Sequence, residues 1–539
     1  MWVQLFRLSS NQYEGSTVAY INIKLSSIVS TFLFISCSAM ADGDMEYIEK
    51  KEEILTAKVA PVVKEKRTLN GNMTLNYNVI PGDVDNIHDL FSEGVFYGRL
   101  RSNTFYWEWK DTSPENRLSN IADKNMGMGG SLIYKSASLN HFNFTIGYYG
   151  SLNPTFWRPD KIDAGLSRAG KDTFSRYKVK TTGEYGIHTF AQGYVEYNNG
   201  TVEIKGGRQF FESVFTKSND TKMIPNSFDG VSAAVKIAFH TKVRVAWFAA
   251  QKLRDHENSH DVITFKDANG ERWNNNDDAA GHKGLTYDKF VNEGKDPDHD
   301  LYLVDFISTY IKNLKFAASY LQVPGVMKDA VLEAHYKILI PDSGWAVRPG
   351  IRYFLQMDDG GGKIAADTNF LGKPATSNGY DAGVVNSLDS SLFNVRLDLL
   401  MPDTKGFFRL GYSNVADKAD IIAPWRAFPT GGFTRAMAQY NWVANTETFM
   451  IRAVYKFNMT WKASIRYAIE DYDDNKDYVL SDANVVHIDT WTNISKNLQM
   501  RMRYGHADAD KHTKKIHHPD EYKIDWSYDE FRLEFNYLF

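Results

Sequence analysis

The sequence predicts an all-β chain: a transmembrane antiparallel β-barrel of about eighteen strands, with short turns at one end and long loops at the other. Three observations predict it. First, apolar and polar residues alternate through most of 95–539. In YDEFRLEFNYLF at 528–539, Phe531, Leu533, Phe535, Tyr537 and Phe539 stand at every second position. Second, the segments between such stretches alternate, short then long, with 323–329 the one short member of the long class. A soluble sandwich has no reason to keep that order, whereas a membrane barrel has tight turns on one side and loops on the other. Third, strand charges gather on one face. A charge facing lipid near the bilayer midplane costs about 2–4 kcal/mol, so that face is the lumen.

Composition agrees. The 539 residues include 30 Tyr and 33 Phe, and the net charge of −4 gives no sign of nucleic-acid binding. A mean hydropathy of −0.42 suits a barrel, where only alternate strand residues meet lipid. Cys37 is the only cysteine and lies in IVSTFLFISCSAMA at 28–41, which reads as a secretory signal peptide cut after Ala41. The signal region is 1–41, with a start codon that could be misplaced. The mature chain then has no cysteine for a disulfide, thiol catalysis or metal binding. The charged stretch 42–90 reads as a periplasmic N-terminal segment, partly helical. A solvated leader is expected there rather than a plug.

The barrel is expected over 91–539. Its first strand is VFYGRLRSNTFYWEW, with Arg99, Arg101 and Asn103 on one face. Strands at 126–135 and 142–150 follow, joined by a few residues. Those at 187–197 and 201–211 flank Asn198-Asn199-Gly200, a strong hairpin signal. Pairs follow at 228–239 and 242–254, 301–311 and 314–322, 331–340 and 345–356, and 392–401 and 406–413. The last pairs are 448–457 with 461–470 and 485–494 with 498–505, before the final strand 528–539. Residues 436–444 suit either a strand or a loop. Eighteen strands enclose an aqueous channel unless loops close it.

Strand alternation points Arg99, Arg101, Lys242, Arg244, Arg348, Arg352, Arg396, Arg409, Arg452, Lys462, Arg466, Arg501, Arg503 and Arg532 inward. Glu333, Asp398, Glu470 and Glu534 are the inward acids the pattern gives. Arginine stays charged and grips carboxylate or phosphate through its fork. Such a lining concentrates anions and passes them along, although each arginine could instead pair with an acid and only set the lumen charge.

NDTKMIPNSFDG at 219–230, shortly after GGRQ at 206–209, resembles a segment of the OprD-type substrate-specific outer-membrane porins. GRLRSNTFYW at 98–107, MGMGGSLIYKSA at 126–137 and the final strand resemble that family's first, second and last strands. The resemblance spans about 91–539. It implies an eighteen-stranded barrel in the outer membrane of a Gram-negative bacterium, passing small solutes, often carboxylates, past a basic ladder. It also implies that 211–225 folds into the pore as a constriction loop carrying Asn219, Asp220 and Lys222, with Pro225 and Gly230 fixing its return to the wall. Lys222 stands where the family commonly has Arg, and the family's proline pair is missing. The final strand, ending in Phe539, resembles the signal read by the barrel-assembly machinery. The expected partners are that machinery, outer-membrane lipid and lipopolysaccharide, and small anionic solutes. No nucleic acid, cofactor or metal is expected, and the oligomer is a monomer or a loosely associated trimer.

Enzyme chemistry is not expected. His487 and Asp489 share a lumen face, where a barrel hydrolase would need an outward Ser–His pair. Asp277-Asp278 and DPDHD at 296–300 lack calcium-loop spacing, and His517-His518 alone is a weak metal site. The other reading is an adhesin or receptor barrel working through its long loops.

Overall fold

The computed structural model describes residues 65–110, 123–168, 170–238, 240–264, 284–436 and 440–539. The expected signal peptide, Asp277-Asp278 and part of 436–444 lie outside them.

Eighteen wall strands of 8 to 15 residues form a closed antiparallel barrel. They are β1 Val95–Trp109, β2 Asp123–Lys135, β3 Phe142–Leu152, β4 Ile187–Asn198, β5 Val202–Gln209, β6 Ser227–Ile237, β7 Thr241–Lys252, β8 Leu301–Ser308 and β9 Leu314–Val323. The second half is β10 Met327–Tyr336, β11 Ala346–Asp358, β12 Ser390–Leu400, β13 Gly406–Val415, β14 Glu447–Lys456, β15 Trp461–Asp471, β16 Ala483–Asn493, β17 Leu498–Ala509 and β18 Tyr528–Leu538. Each pairs with its neighbours in sequence, and β18 returns to β1. The closed antiparallel barrel is that of an all-β transmembrane protein, and among the described residues no helix is long and apolar enough to cross a membrane.

The tight turns are built by residues that tolerate a left-handed backbone. Asn140, His141, His240, Asn313, Asp342 and Asp403 all have positive φ there. At the β4–β5 turn Gly200 has φ 86°, and the Asn199 side chain accepts from the Thr201 and Val202 amides. The side-chain pattern follows the predicted faces. On β14 and β15, Phe449, Ile451, Ile465 and Tyr467 are exposed outward, while Arg452 and Arg466 are buried inward.

Several boundaries differ from the sequence reading by three or four residues, as where β17 runs on to Ala509 and β8 stops at Ser308, and two of the differences bear on the lumen. Strand β5 stops at Gln209, because the chain leaves the wall two residues early to enter the lumen. Strand β10 begins at Met327 rather than 331. Its Asp329, the last residue of the expected 323–329 connection, is fully buried within the wall strand. The described parts of 436–444 belong to no strand.

The larger departure is at the N-terminus. Arg67–Leu69 and Leu75–Tyr77 form a small hairpin, and its tip residues Asn72, Met73 and Thr74 are buried. These residues are not a solvated leader. A short helix, Ile87–Ser92, follows before β1.

At the seam, the Phe539 amide donates to the Gly98 carbonyl at 3.0 Å, and the Gly98 amide to the Phe539 carbonyl at 2.9 Å. The Phe539 ring covers Gly98, where a Cβ would lie 2.7 Å from it. Deleting Phe539 removes both bonds and this contact. The expected result is a reduced yield of assembled barrel with unchanged selectivity in the fraction that does assemble, checked by membrane fractionation and bilayer recording.

Candidate pore constriction

Residues 210–226, here loop L3, connect β5 to β6 but do not stay at the barrel rim. From 211 to 226 all but Glu212, Val214 and Lys217 are buried. The anchor is Asp220. Its carboxylate accepts from the Arg99 guanidinium and, at 2.8 Å, from Arg101 Nη1, while its carbonyl accepts from Arg101 Nη2 at 3.0 Å. One turn of the strand pleat further, Asn103 Nδ2 donates to the Thr221 and Lys222 carbonyls at 3.2 and 3.0 Å. The period of two along β1 thus sets three donors in a row facing the loop. Glu534 on the neighbouring β18 steadies Arg101 from the other side, 2.6 Å from its Nη2.

The remaining loop residues have separate tasks. The Asn219 carbonyl accepts from Arg254 Nη1 at 3.3 Å, with Asn219 at φ 43°. Lys222 Nζ sits 4.3 Å from the centre of the Phe105 ring. The Pro225 carbonyl accepts from Lys252 Nζ at 3.0 Å. Gly230 lies in β6 at a register shift, where a Cβ would come 2.1 Å from the Trp247 carbonyl oxygen. Burial is the largest cause lowering the Lys222 amine, to about 7, and the charge of Arg532 adds to it.

A second inward loop went unread in the sequence. L7 spans 416–446, and 419–436 is buried apart from half-buried Phe428. Its Pro429 and Gly431 carbonyls accept from Arg352 Nη1, both at 2.9 Å. The Gly432 carbonyl accepts from Arg396 and Arg409 at 2.6 and 2.7 Å, and the Arg435 carbonyl from Arg466 at 3.2 Å. Phe433 lies beneath Arg352 and Arg396. L7 meets L3 where Thr216 and Arg426 form an antiparallel bridge and the Lys217 amide donates to the Trp425 carbonyl at 2.9 Å. The sign was in IIAPWRAFPTGGF at 421–433, too apolar for a loop left in water.

Of the fourteen cations read as inward, Arg99, Arg101, Arg352, Arg396, Arg409, Arg452, Arg466, Arg501 and Arg503 are buried, and acids hold many of the set. Asp398 binds Arg409 at 2.6 Å and Arg348 at 2.8 Å, with Arg396 at 3.6 Å. Asp489 binds Arg501 and Arg503, each at 2.9 Å, with Arg466 at 3.6 Å and His487 at 3.2 Å. Glu333 takes Arg352 and His335, Asp305 takes Arg244, and Glu530 takes Arg532. Arg452 Nε donates to Ser464, and Lys462 lies over Trp491. Lys242 faces inward, half-buried. Buried Asp305, Asp329 and Glu530 join Asp489 and the four acids read from the sequence, so the inward excess of cations is smaller than expected.

His487 therefore belongs to an ion-pair cluster. His517 and His518 both face Asp477, and His299 faces Asp261. No cluster of three metal-ligating side chains occurs among the described residues.

No protein-family model matches the sequence, and no curated protein matches it. Solved structures do. OpdK of Pseudomonas aeruginosa, crystallised with vanillate, superposes with a TM-score of 0.59 at 11% identity over 84% of this chain and 99% of that one. OccK9 (OpdG) of the same organism gives 0.60 at 13%, covering 83% and 99%, and OccAB2 of Acinetobacter baumannii gives 0.59 at 14%, covering 84% and 99%. All are OprD/Occ-family porins. The chain has the OprD/Occ porin fold. At this identity the likeness is one of fold, and nearly the whole length of each porin finds a counterpart. The motif at 219–230 follows β5 and runs into the start of β6.

Proposed function

We propose that the chain is an outer-membrane porin of a Gram-negative bacterium, a passive channel for small anionic or carboxylate-bearing solutes. The carrying observation is the closed barrel whose lumen is narrowed by L3 against an arginine-bearing wall. The fold of the OprD/Occ porins supports it, as does OpdK's crystallisation with vanillate, a carboxylate. Arg244, Arg348 and the other inward cations that keep some exposure would guide the solute, using whatever donor capacity their acids leave, while Arg99 and Arg101 hold L3 in place. Much of the long-loop material that an adhesin would display, in L3 and L7, is buried instead, which favours the channel. The proposal keeps 1–41 as the signal peptide, with lipopolysaccharide around the wall and the assembly machinery reading Phe539.

Planar-bilayer reversal potentials in a salt gradient test this. Anion selectivity is expected to rise as pH falls from 8 to 6, because Lys222, held down to about 7, gains its charge in that interval. A free lysine is already protonated there, so docking of L3 also weakens as pH falls from the ordinary lysine range towards 7. Lys222→Met should flatten the pH response. Cation selectivity in the wild type overturns the anion claim, and absence of conductance overturns the channel.

A further inference from the structure

The N-terminal hairpin sits where a leader has no need to be. Its strands pair Arg67 with Tyr77, Thr68 with Asn76 and Leu69 with Leu75. Its tip closes through the Asn70 amide to the Thr74 carbonyl at 2.9 Å and the Met73 amide to the Asn70 carbonyl at 2.8 Å. That tip reaches both walls of the constriction. The Met73 carbonyl accepts from Arg99 Nη1 at 2.7 Å, and the same guanidinium holds Asp220 through its other nitrogen. Asn72 Nδ2 lies 3.4 Å from Ser218 Oγ on L3. Leu75 packs on the cluster that contains Met223 and Ile224 of L3, and Tyr77 lies against Tyr97 of β1 at 5.3 Å.

The hairpin comes from the short-turn end. The chain beyond it runs along that rim, where Asp83-Val84 pairs in parallel with Ser138-Leu139 in the β2–β3 turn. The Ser138 amide donates to the Gly82 carbonyl and the Ala137 amide to the Leu90 carbonyl, both at 3.0 Å. The rim is thus an anchored base, and the hairpin is the arm beyond it. Two three-residue strands are marginal alone. The contacts that hold the arm include the carbonyl bond to Arg99, the Asn72 amide's bonds to Ser218 and Glu212 of L3, and the packing of Leu75 and Tyr77. Such a set is weak enough to release without unfolding the wall.

We propose that residues 66–78 are a displaceable plug of the short-turn mouth, which clamps L3 inward and throttles the channel while docked. Withdrawal frees the mouth and leaves Arg99 and Ser218 without their hairpin partners, so L3 loses one of its supports. This rests on the porin reading given above, and the test separates the two.

Two variants, expressed with their signal peptide and processed to a mature chain that has no cysteine of its own, are recorded in planar bilayers beside the wild type. One replaces 66–78 by a short Gly-Ser linker. The other carries Asn72→Cys and Ser218→Cys, to tie the tip to L3 under oxidant. Circular dichroism confirms the β content of each. The expected result is a severalfold larger single-channel conductance without the hairpin, and a low conductance in the oxidised pair that recovers with reductant. Equal conductance with and without the hairpin overturns the plug and leaves the porin standing. Unchanged conductance on reducing a confirmed disulfide overturns it too. Absence of conductance in every form, the hairpin deletion included, overturns the porin reading and the plug with it.

Discussion

Asp220→Ala is expected to release L3 from the wall, raise conductance and lower the thermal stability of the barrel. Asp220 is fully buried, and the side chains of Arg99 and Arg101 are fully buried against it. Removing one partner of a buried ion pair costs about 3–5 kcal/mol, because the charge left behind has neither water nor counter-ion. Arg101 keeps Glu534, but Arg99 keeps the Met73 carbonyl and no acid. The cheapest response is for L3 to move away and let water reach Arg99. Asp220→Asn keeps the shape and can still accept hydrogen bonds, so its effect should be clearly smaller in both measurements. Arg99→Met combined with Asp220→Ala should recover part of the lost stability, since no uncompensated charge then remains at that position. A conductance in Asp220→Ala equal to wild type would mean that Asn103 and the Trp425 carbonyl hold the loop without the ion pair.

The wall was legible because lipid and water impose opposite demands on neighbouring residues. A strand such as β14 must place Phe449 and Ile451 outward and Arg452 inward, and no other secondary structure satisfies that alternation. Where the wall buries charge, the reading slipped. Asp329 looked like the end of a loop because its inward, dry position is set by strands it pairs with and not by its own neighbours in sequence. The ion pairs were readable in principle. Across a tight turn, residues equidistant from its centre face each other, and so Asp398 meets Arg409, Glu333 meets Arg352 and Asp489 meets Arg503. The sequence reading counted inward charges without pairing them, and so overstated the free basic lining.

The lumen contents were legible in a different way. L3 was read from a motif, and its place between β5 and β6 followed from the strand count. The partner of Asp220 did not follow, because Arg99 and Asp220 are 121 residues apart and meet across the barrel interior and not across a turn. L7 has no period, and the N-terminal hairpin has strands of three residues, below what alternation can register. Their common sign is apolar content in segments that should otherwise be wet.

Replacing 424–433 of L7 by a short Gly-Ser linker is expected to change selectivity more than any wall substitution. The excision removes the Pro429, Gly431 and Gly432 carbonyls that now take donors from Arg352, Arg396 and Arg409. It also removes Phe433 from beneath two of these guanidiniums and the Trp425–Arg426 contacts with L3. The wall keeps its ladder, since β13 and β14 pair through Gly406–Tyr455 to Asn414–Glu447 without the loop. Donors that lose a carbonyl turn to water and to whatever anion enters, so both conductance and anion preference should rise. Asp220→Ala gives a contrast, because it frees L3 but leaves these arginines capped. Arg396→Gln then separates the causes. In the intact chain it should barely move the reversal potential, since the guanidinium is already engaged by Gly432 and Asp398. In the excised chain it should cancel part of the gained anion preference. If Arg396→Gln acts equally in both, the L7 carbonyls do not mask the ladder, and the lining works around the loop.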